Sequence, residues 1–422
     1  LADRVLLVGV VTPVSSRKVI EEHLAELQLL VKTLDYEVAD QFIVNRKIFD
    51  PATYIGKGKI EEIKSLVTLH DIQDVIFDDD ISPTQARNIA RIIDREVVDR
   101  SGIIIEIFAK HARTKEARTQ IDLAMLQYLL PRLAGRWTHL ERQVGGIGVR
   151  GGAGESQIEV DRRLIRTRIS KLKRELEKID GERKVRSKGR GHDFNVSLVG
   201  YTNAGKSTLL NALTGSDVLA EDKLFATLDT TVRRCRIDND HQVLLSDTVG
   251  FIRKLPAKLV ASFRGTLMEL EEADLLIKIV DLSSEQCFYQ LRAVDEQLQQ
   301  INLHTKPSLI VFNKIDVINE LNLKQARRDY PDAVFISAQS QLRLNTLKEA
   351  ILTELQKEMV DVRVQMPLRE ARAISILRNH TAILEESYED GKVQIHLTSY
   401  RRVWNWLESQ LGSVMKIRPE GE

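Results

Sequence analysis

Cysteine is nearly absent from this chain of 422 residues, with Cys235 and Cys287 as the two examples. Two thiols cannot staple a chain of this length, and their spacing matches no metal-ligand pattern. A disulfide scaffold and a cysteine metal site are therefore excluded, and a reduced, cytoplasmic setting is expected. Long apolar runs are missing too: none approaches the ~20 residues of a membrane-spanning helix, so stable membrane insertion is not expected. No secretory-signal pattern stands at the start. The chain opens at Leu1 rather than at a methionine, so a few native residues are expected ahead of it. Net charge is also nearly absent, at +1. What is present is 43% hydrophobic and 29% charged residues, enough for several packed cores and too apolar for wholesale disorder. The length suits roughly two to four domains of ~100–200 residues.

The near-zero net charge hides an asymmetry. Between Lys110 and Arg190 there are 21 Lys/Arg against 10 Asp/Glu, and the rest of the chain is correspondingly acidic. A basic block on an acidic body points to a polyanion, nucleic acid above all.

Periodicity divides the chain into four parts. Residues 1–108 alternate strands (Val5–Val11, Glu37–Val44, Asp74–Phe77, Gly102–Phe108) with helices (Glu21–Leu34, Ile60–Leu69, Pro83–Ile93), predicting an N-terminal α/β domain with a largely parallel sheet. Residues 109–191 predict a basic helical hairpin. Its first helix, Thr114–Leu133, carries Ile121, Ala124, Met125, Tyr128 and Leu129 on one face and is expected to kink or end at Pro131. A glycine-rich loop, Gly145–Gly154 with the single charge of Arg150, forms the tip. The second helix has Ile158, Ile165, Leu172 and Ile179 spaced by seven, with Ile169 and Leu176 between them, a short coiled-coil seam. Residues 192–360 form a second α/β region. Residues 361–422 form a small appended α/β unit with strands near Val362 and at Val393–Leu397 and helices Arg369–His380 and Trp404–Leu411.

The sharpest chemical signal is Gly200-Tyr201-Thr202-Asn203-Ala204-Gly205-Lys206-Ser207, placed between the strand Val196–Val199 and the helix Thr208–Leu213. Strand, glycine loop and helix in that order cradle phosphates on backbone N–H groups and on the positive helix end. Lys206 is expected at the β- and γ-phosphates and the Ser207 hydroxyl on Mg²⁺. Asn313-Lys314-Ile315-Asp316 ends the strand Ser308–Phe312. The Asp316 carboxylate can accept both N1–H and N–H₂ of guanine, and adenine offers no such donor pair. Ser337-Ala338-Gln339 can offer the Ala338 N–H to guanine O6. Between these motifs, Asp247-Thr248-Val249-Gly250 ends the strand Gln242–Ser246. Asp247 is expected to hold Mg²⁺ through water, and the Gly250 N–H to sense the γ-phosphate. A threonine must complete the Mg²⁺ shell, and Thr227, Thr230 and Thr231 are all candidates by chemistry.

These motifs predict a Ras-like P-loop GTPase domain. The wider chain closely resembles the HflX family of ribosome-associated GTPases through GGIGVRGGAGESQIEVDRR (Gly145–Arg163), Trp137–Arg142, Gly200–Ser207 and Phe225-Ala226-Thr227-Leu228-Asp229. Asp247–Ile252 and Gly56–Lys59 add to it. The resemblance implies Thr227 as the Mg²⁺-binding switch residue and Phe225–Asp229 as part of the nucleotide site. It also implies binding to the large (50S) ribosomal subunit and its rRNA, and dissociation of stalled or stress-arrested ribosomes. In the tip, Arg150-Gly-Gly-Ala-Gly-Glu155 departs from the family's Arg-Gly-Pro-Gly-Glu.

Phe251 occupies the place after the Asp-x-x-Gly motif where many GTPases carry a water-orienting glutamine, so docking to RNA is expected to gate hydrolysis. Asn203 is a candidate K⁺ ligand beside the phosphates. Arg233 and Arg234 are read as surface residues rather than as an internal arginine finger. Arg150, Arg162, Arg163, Arg166 and Arg168 are the expected rRNA contacts, with GTP and GDP as ligands and a monomer as the working state. Two alternatives stand beside ribosome dissociation. One is a chaperone of large-subunit assembly. The other is an ATP-dependent RNA-unwinding activity of the N-terminal domain, resting on Gly56-Lys57-Gly58-Lys59.

Overall fold

The computed structural model describes residues 3–133, 157–187, 193–216, 225, 230–239, 241–254, 269–318 and 320–418. Thr227, with residues 226–229, and Arg150, with the rest of the glycine-rich tip, lie outside them.

The N-terminal part comprises β1 (Arg4–Val11), α1 (Arg17–Thr33), β2 (Glu37–Asn45), α2 (Lys57–Leu69), β3 (Asp74–Phe77), α3 (Pro83–Ile93), β4 (Glu96–Asp99) and α4 (Arg100–His111). Its four strands are all parallel, in the order β2-β1-β3-β4. The continuous apolar run of β1 is what a strand covered on both faces requires. Helix starts follow their caps. Ser16 caps α1, and Ser82 with Gln85 forms a capping box before Pro83 at the start of α3. Gly56 is the N-cap of α2 at φ 81°, and Lys59 pairs with Glu62 at 2.6 Å.

One expected strand is overturned. Gly102–Phe108 lies inside helix α4, and the fourth strand is the four-residue segment before it. Asp99 starts the helix by accepting the Gly102 N–H at 3.0 Å. The helix is buried on almost every side, so it lacks the polar stripe that reveals a 3.6-residue period, and its isoleucines mimic a strand.

The middle part is helical, with α5 (Lys115–Leu129), a 3₁₀ turn at Leu130–Arg132 and α6 (Gln157–Ser187). Leu123, Leu126 and Leu133 of the first arm pack on Ile165 and Leu172 of the second, flanked by Ile169 and Leu176. The heptad seam is thus where the two arms meet. The other face of α5, with Ile121, Ala124, Met125 and Tyr128, packs instead on the N-terminal core. Along α6, Arg163, Arg166 and Arg168 are exposed and Arg162 is half-buried.

Next come β5 (Phe194–Gly200), α7 (Lys206–Thr214), β6 (Thr231–Arg236), β7 (Gln242–Asp247), β8 (Leu275–Asp281), α8 (Cys287–Gln300), β9 (Ser308–Asn313), α9 (Glu320–Asp329), β10 (Val334–Phe335) and α10 (Leu344–Lys357). The six-stranded sheet runs β10-β9-β8-β5-β7-β6, with β6 as its one antiparallel edge. The apolar core on one side of this sheet continues without a break into the N-terminal part. Val199, Phe251, Ile252, Leu276 and Val294 share one cluster with Leu24, Ile104 and Phe108.

The last part reads β11 (Met359–Pro367), α11 (Ala371–His380), β12 (Ala382–Glu389), β13 (Lys392–Tyr400), α12 (Arg401–Leu411) and β14 (Lys416–Arg418), a βαββαβ unit with strand order β12-β13-β11-β14. Strand β12 escapes the sequence pattern because it is a sheet edge: four of its eight residues are Glu or Ser, and most are exposed. Among the described residues no helix is long and apolar enough to cross a membrane.

Candidate nucleotide-binding site

The site begins where β5 runs into α7. Two glycines of this turn are required by close packing. A Cβ on Gly200 would lie 2.3 Å from the Ile279 carbonyl oxygen on the neighbouring strand. A Cβ on Gly205, at φ 93°, would lie 2.3 Å from Asn313 Nδ2. Asn203 holds the left-handed conformation at φ 62°, which asparagine tolerates better than most residues.

Lys206 is buried, and its Nζ donates to the carbonyls of Gly200 (3.3 Å) and Tyr201 (3.0 Å). Burial lowers its pKa to about 8. Among the described residues it forms no ion pair, so this is a desolvated ammonium placed where an anion would relieve it. Among the described residues, Thr202 Oγ1 of the same loop is buried without a hydrogen-bond partner. Ser207 Oγ donates to Asp247 Oδ2 at 2.5 Å, bringing together the two groups expected at the metal. Thr248 has a structural task instead, donating from Oγ1 to the Leu198 carbonyl at 2.7 Å.

The segment after Asp247 is fastened onto the loop. The Phe251 N–H donates to the Gly200 carbonyl at 3.0 Å, and the Thr202 N–H to the Phe251 carbonyl at 2.8 Å. A Cβ on Gly250 would meet Thr202 Cα at 2.9 Å and Lys206 Nζ at 3.0 Å. Gly250 is thus packed closely against the loop that carries Thr202 and Lys206.

At the base end, Asn313 ties three segments together. Its Nδ2 donates to the Ala204 carbonyl, and its Oδ1 accepts the Ala338 N–H, both at 2.9 Å. The Ala338 donor expected at guanine O6 is thus engaged by Asn313 in this structure. Lys314, at φ 64°, pairs with Asp281 at 2.7 Å. Asp316 is exposed and accepts from Ser340 Oγ at 2.7 Å, a bond that holds its carboxyl below the usual carboxylate range. Ser340 is in turn fixed by its N–H to Ser337 Oγ at 3.1 Å. Ile315 is half-buried and Gln339 exposed.

Two residues expected at the nucleotide turn their side chains elsewhere. The Phe225 ring packs edge-on against Phe108 of α4, with centroids 4.6 Å apart. The Tyr201 hydroxyl donates to Glu26 of α1 at 2.8 Å and accepts the Arg253 N–H at 2.9 Å. Phe251 is likewise buried in the shared core.

Sequence reasoning missed the charged cluster around these residues. Arg253 reaches both oxygens of Asp78 at 2.8 and 3.0 Å. Arg100, only 1% exposed, donates to Asp78 at 2.9 Å, to Glu26 at 2.8 Å and to the Arg253 carbonyl at 3.2 Å. Burial alone would raise the Asp78 pKa, but Arg253, Arg100 and Lys254 outweigh it and hold it at about 2. The cluster lies at the carboxyl end of β3, beside the point where the strand order of the N-terminal sheet reverses. Parallel sheets commonly bind ligands there, and here the crevice receives Arg253. The visible signal was the pair Arg253-Lys254 directly after the Asp-x-x-Gly segment, facing the run Asp78-Asp79-Asp80.

The arrangement is that of a P-loop GTPase. The model described as "GTP-binding GTPase N-terminal" matches residues 21–109, "GTP-binding GTPase Middle Region" residues 111–190, and "50S ribosome-binding GTPase" residues 195–314. The GTPase HflX of Flavobacterium psychrophilum is 49% identical over 321 residues, covering 76% of this chain and 77% of that protein. Those of Magnetococcus marinus and Escherichia coli are each 40% identical. They cover 91% and 89% of this chain and 89% of their own lengths. A GTP-binding protein of Sulfolobus solfataricus, solved with GDP, is 27% identical with a TM-score of 0.43, covering 85% of this chain and 99% of that one. The chain belongs to the HflX family of GTPases and is a GTP-binding and GTP-hydrolysing enzyme.

Proposed function

We propose that this GTPase docks on the large ribosomal subunit through its basic hairpin and parts ribosomes into subunits, with GTP hydrolysis setting its release. The observation that carries this reading is the placement of the exposed Arg163, Arg166 and Arg168 on an arm rooted in the core that buries Phe225 and Phe251. Exposed cations along one helix suit rRNA phosphates. Phe251 cannot orient water, and its burial supports hydrolysis that waits for a partner.

Mg²⁺ fits the residues present. Ser207 and Asp247 converge at 2.5 Å beside the buried Lys206, and Thr227 would complete the set. When bound, the ion would neutralise charge on the β- and γ-phosphate oxygens. Lys206 would hold the same phosphates, Asp316 the guanine edge, and the Gly250 N–H the terminal phosphate. Asn203 would hold K⁺ near the bridging oxygens, and equal turnover in K⁺ and Na⁺ would remove that assignment.

The test is to mix the protein and GTP with intact ribosomes and resolve the products on a gradient. Free subunits are expected. Intact ribosomes with the protein bound only to free large subunits would favour the assembly-chaperone alternative. GTP turnover should rise when large subunits are added, and no rise at saturation would sink the gating part of the reading.

A further inference from the structure

Helix α4 touches every part that a docking signal would have to connect. Its N-cap, Asp99, is 1% exposed and faces the hairpin. There Asp99 Oδ2 accepts from Arg132 NH2 at 2.6 Å and Oδ1 accepts the Tyr128 hydroxyl at 2.9 Å. The Arg132 guanidinium lies 3.8 Å from the Tyr128 ring centroid and also donates to the Ile81 carbonyl at 3.1 Å. Tyr128 and Arg132 close the first arm of the hairpin. The next residue along, Arg100, holds Glu26, Asp78 and the Arg253 carbonyl. Two turns further, Phe108 packs on Phe225. One helix of 12 residues, about 18 Å long, therefore joins the tip-side end of the first hairpin arm to Arg253 and Phe225, which follow and precede the switch motifs in the chain.

We propose that Arg132, Tyr128 and Asp99 are positioning residues that couple the hairpin to GTP hydrolysis, with α4 as the lever and Arg100 as its grip on Arg253. The physical basis is burial. Asp99 and Arg100 are closed off from solvent, so water cannot take over from a partner that moves. Displacing Arg132 either strands the Asp99 carboxylate or carries α4 along with it. Movement of α4 then reaches Arg253, which sits three residues after Gly250, and Phe225, two residues before Thr227. The inference deepens the ribosome-docking reading and rests on it for the nature of the signal. The coupling itself is intramolecular.

Coupling between two sites is reciprocal, so it can be read with and without ribosomes. Tyr128→Phe removes one hydroxyl and should preserve the fold, and Arg132→Leu is the stronger variant. With large subunits, both should keep the unstimulated turnover and the co-sedimentation of the parent protein. Their stimulation should fall by about 10-fold, within the usual range of coupling between sites. Without subunits, hydrogen exchange across residues 115–132 of the parent protein should differ between GDP and a non-hydrolysable GTP analogue. Tyr128→Phe should flatten that difference. Stimulation at the parent level in both variants overturns the proposal. So does an exchange pattern in the parent protein that ignores the nucleotide. If subunits do not stimulate even the parent protein but the exchange difference is present and lost in Tyr128→Phe, the lever stands and the ribosomal reading falls.

Discussion

Replacing Asp78 by asparagine tests the charged cluster that binds the N-terminal part to the GTPase core. Asp78 is 2% exposed and receives three guanidinium bonds of 2.8 to 3.0 Å from Arg253 and Arg100. Its pKa of about 2, against an unfolded value near 4, corresponds to about 2–3 kcal/mol of stability at neutral pH. Removing one member of a buried pair costs about 3–5 kcal/mol, because the remaining charges stay desolvated. Asparagine keeps one acceptor and most of the shape, so Asp78→Asn should cost about 3 kcal/mol. Urea unfolding at pH 7 should show a midpoint lowered by about 1–3 M at ordinary slopes. The sign of the pH dependence follows from a depressed carboxyl pKa. The advantage of the aspartate is fully present above pH 4 and is lost as pH falls through 2, so the two proteins should converge in acid. The double variant Asp78→Asn/Arg253→Met should cost less than the sum of the two single substitutions. A difference under about 0.5 kcal/mol, typical of an ordinary surface substitution, would refute the assignment. A gap that persists unchanged into acid would refute it equally.

Four further outcomes follow from the nucleotide site and the hairpin. Asp316→Asn should weaken GTP and improve xanthosine triphosphate, and Ser340→Ala should weaken GTP by about fivefold, roughly the 1 kcal/mol of one hydrogen bond, with Lys206-dependent phosphate binding intact. Competition binding with the two nucleotides checks both, and unchanged affinities would show that Ser340 does not hold the base-reading carboxylate. Lys206, with a pKa near 8 in the free site, should take up a proton when phosphate binds above that pH. Nucleotide affinity should then decline as pH rises past 8, with heats of binding that depend on the buffer's ionisation enthalpy, and pH-independent affinity between 7 and 9.5 would contradict it. Neutralising Arg162, Arg163, Arg166 and Arg168 should flatten the salt dependence of large-subunit binding, by about one released counterion for each arginine that grips a phosphate. GTP affinity should stay near that of the parent protein, and unchanged co-sedimentation at every salt concentration would remove these arginines from the interface.

The nucleotide motifs were legible because each is a short piece of chain whose chemistry is complete within itself. Lys206 and Ser207 follow a strand and open a helix, and Asp247 and Asn313 end strands. A linear pattern therefore carries the essential geometry. The coiled seam of Ile165 and Leu172 was legible for the same reason, since a heptad is a property of one helix. Where local pattern and burial conflict, reading failed. Helix α4 looked like a strand because its surroundings hide its period, and edge strand β12 was passed over because most of its residues face water.

Composition and local order, then, were enough to determine that this chain binds a guanine nucleotide and carries a basic two-helix arm. They could not determine that Tyr201 and Phe225 turn toward Glu26 and Phe108, or that Arg253 is clasped by Asp78. Those partners lie 117 to 175 positions apart along the chain and have no shared period or motif. Only when the two sheets pack through a common apolar core are these charges withdrawn from water together. It is that withdrawal which makes each dependent on the other.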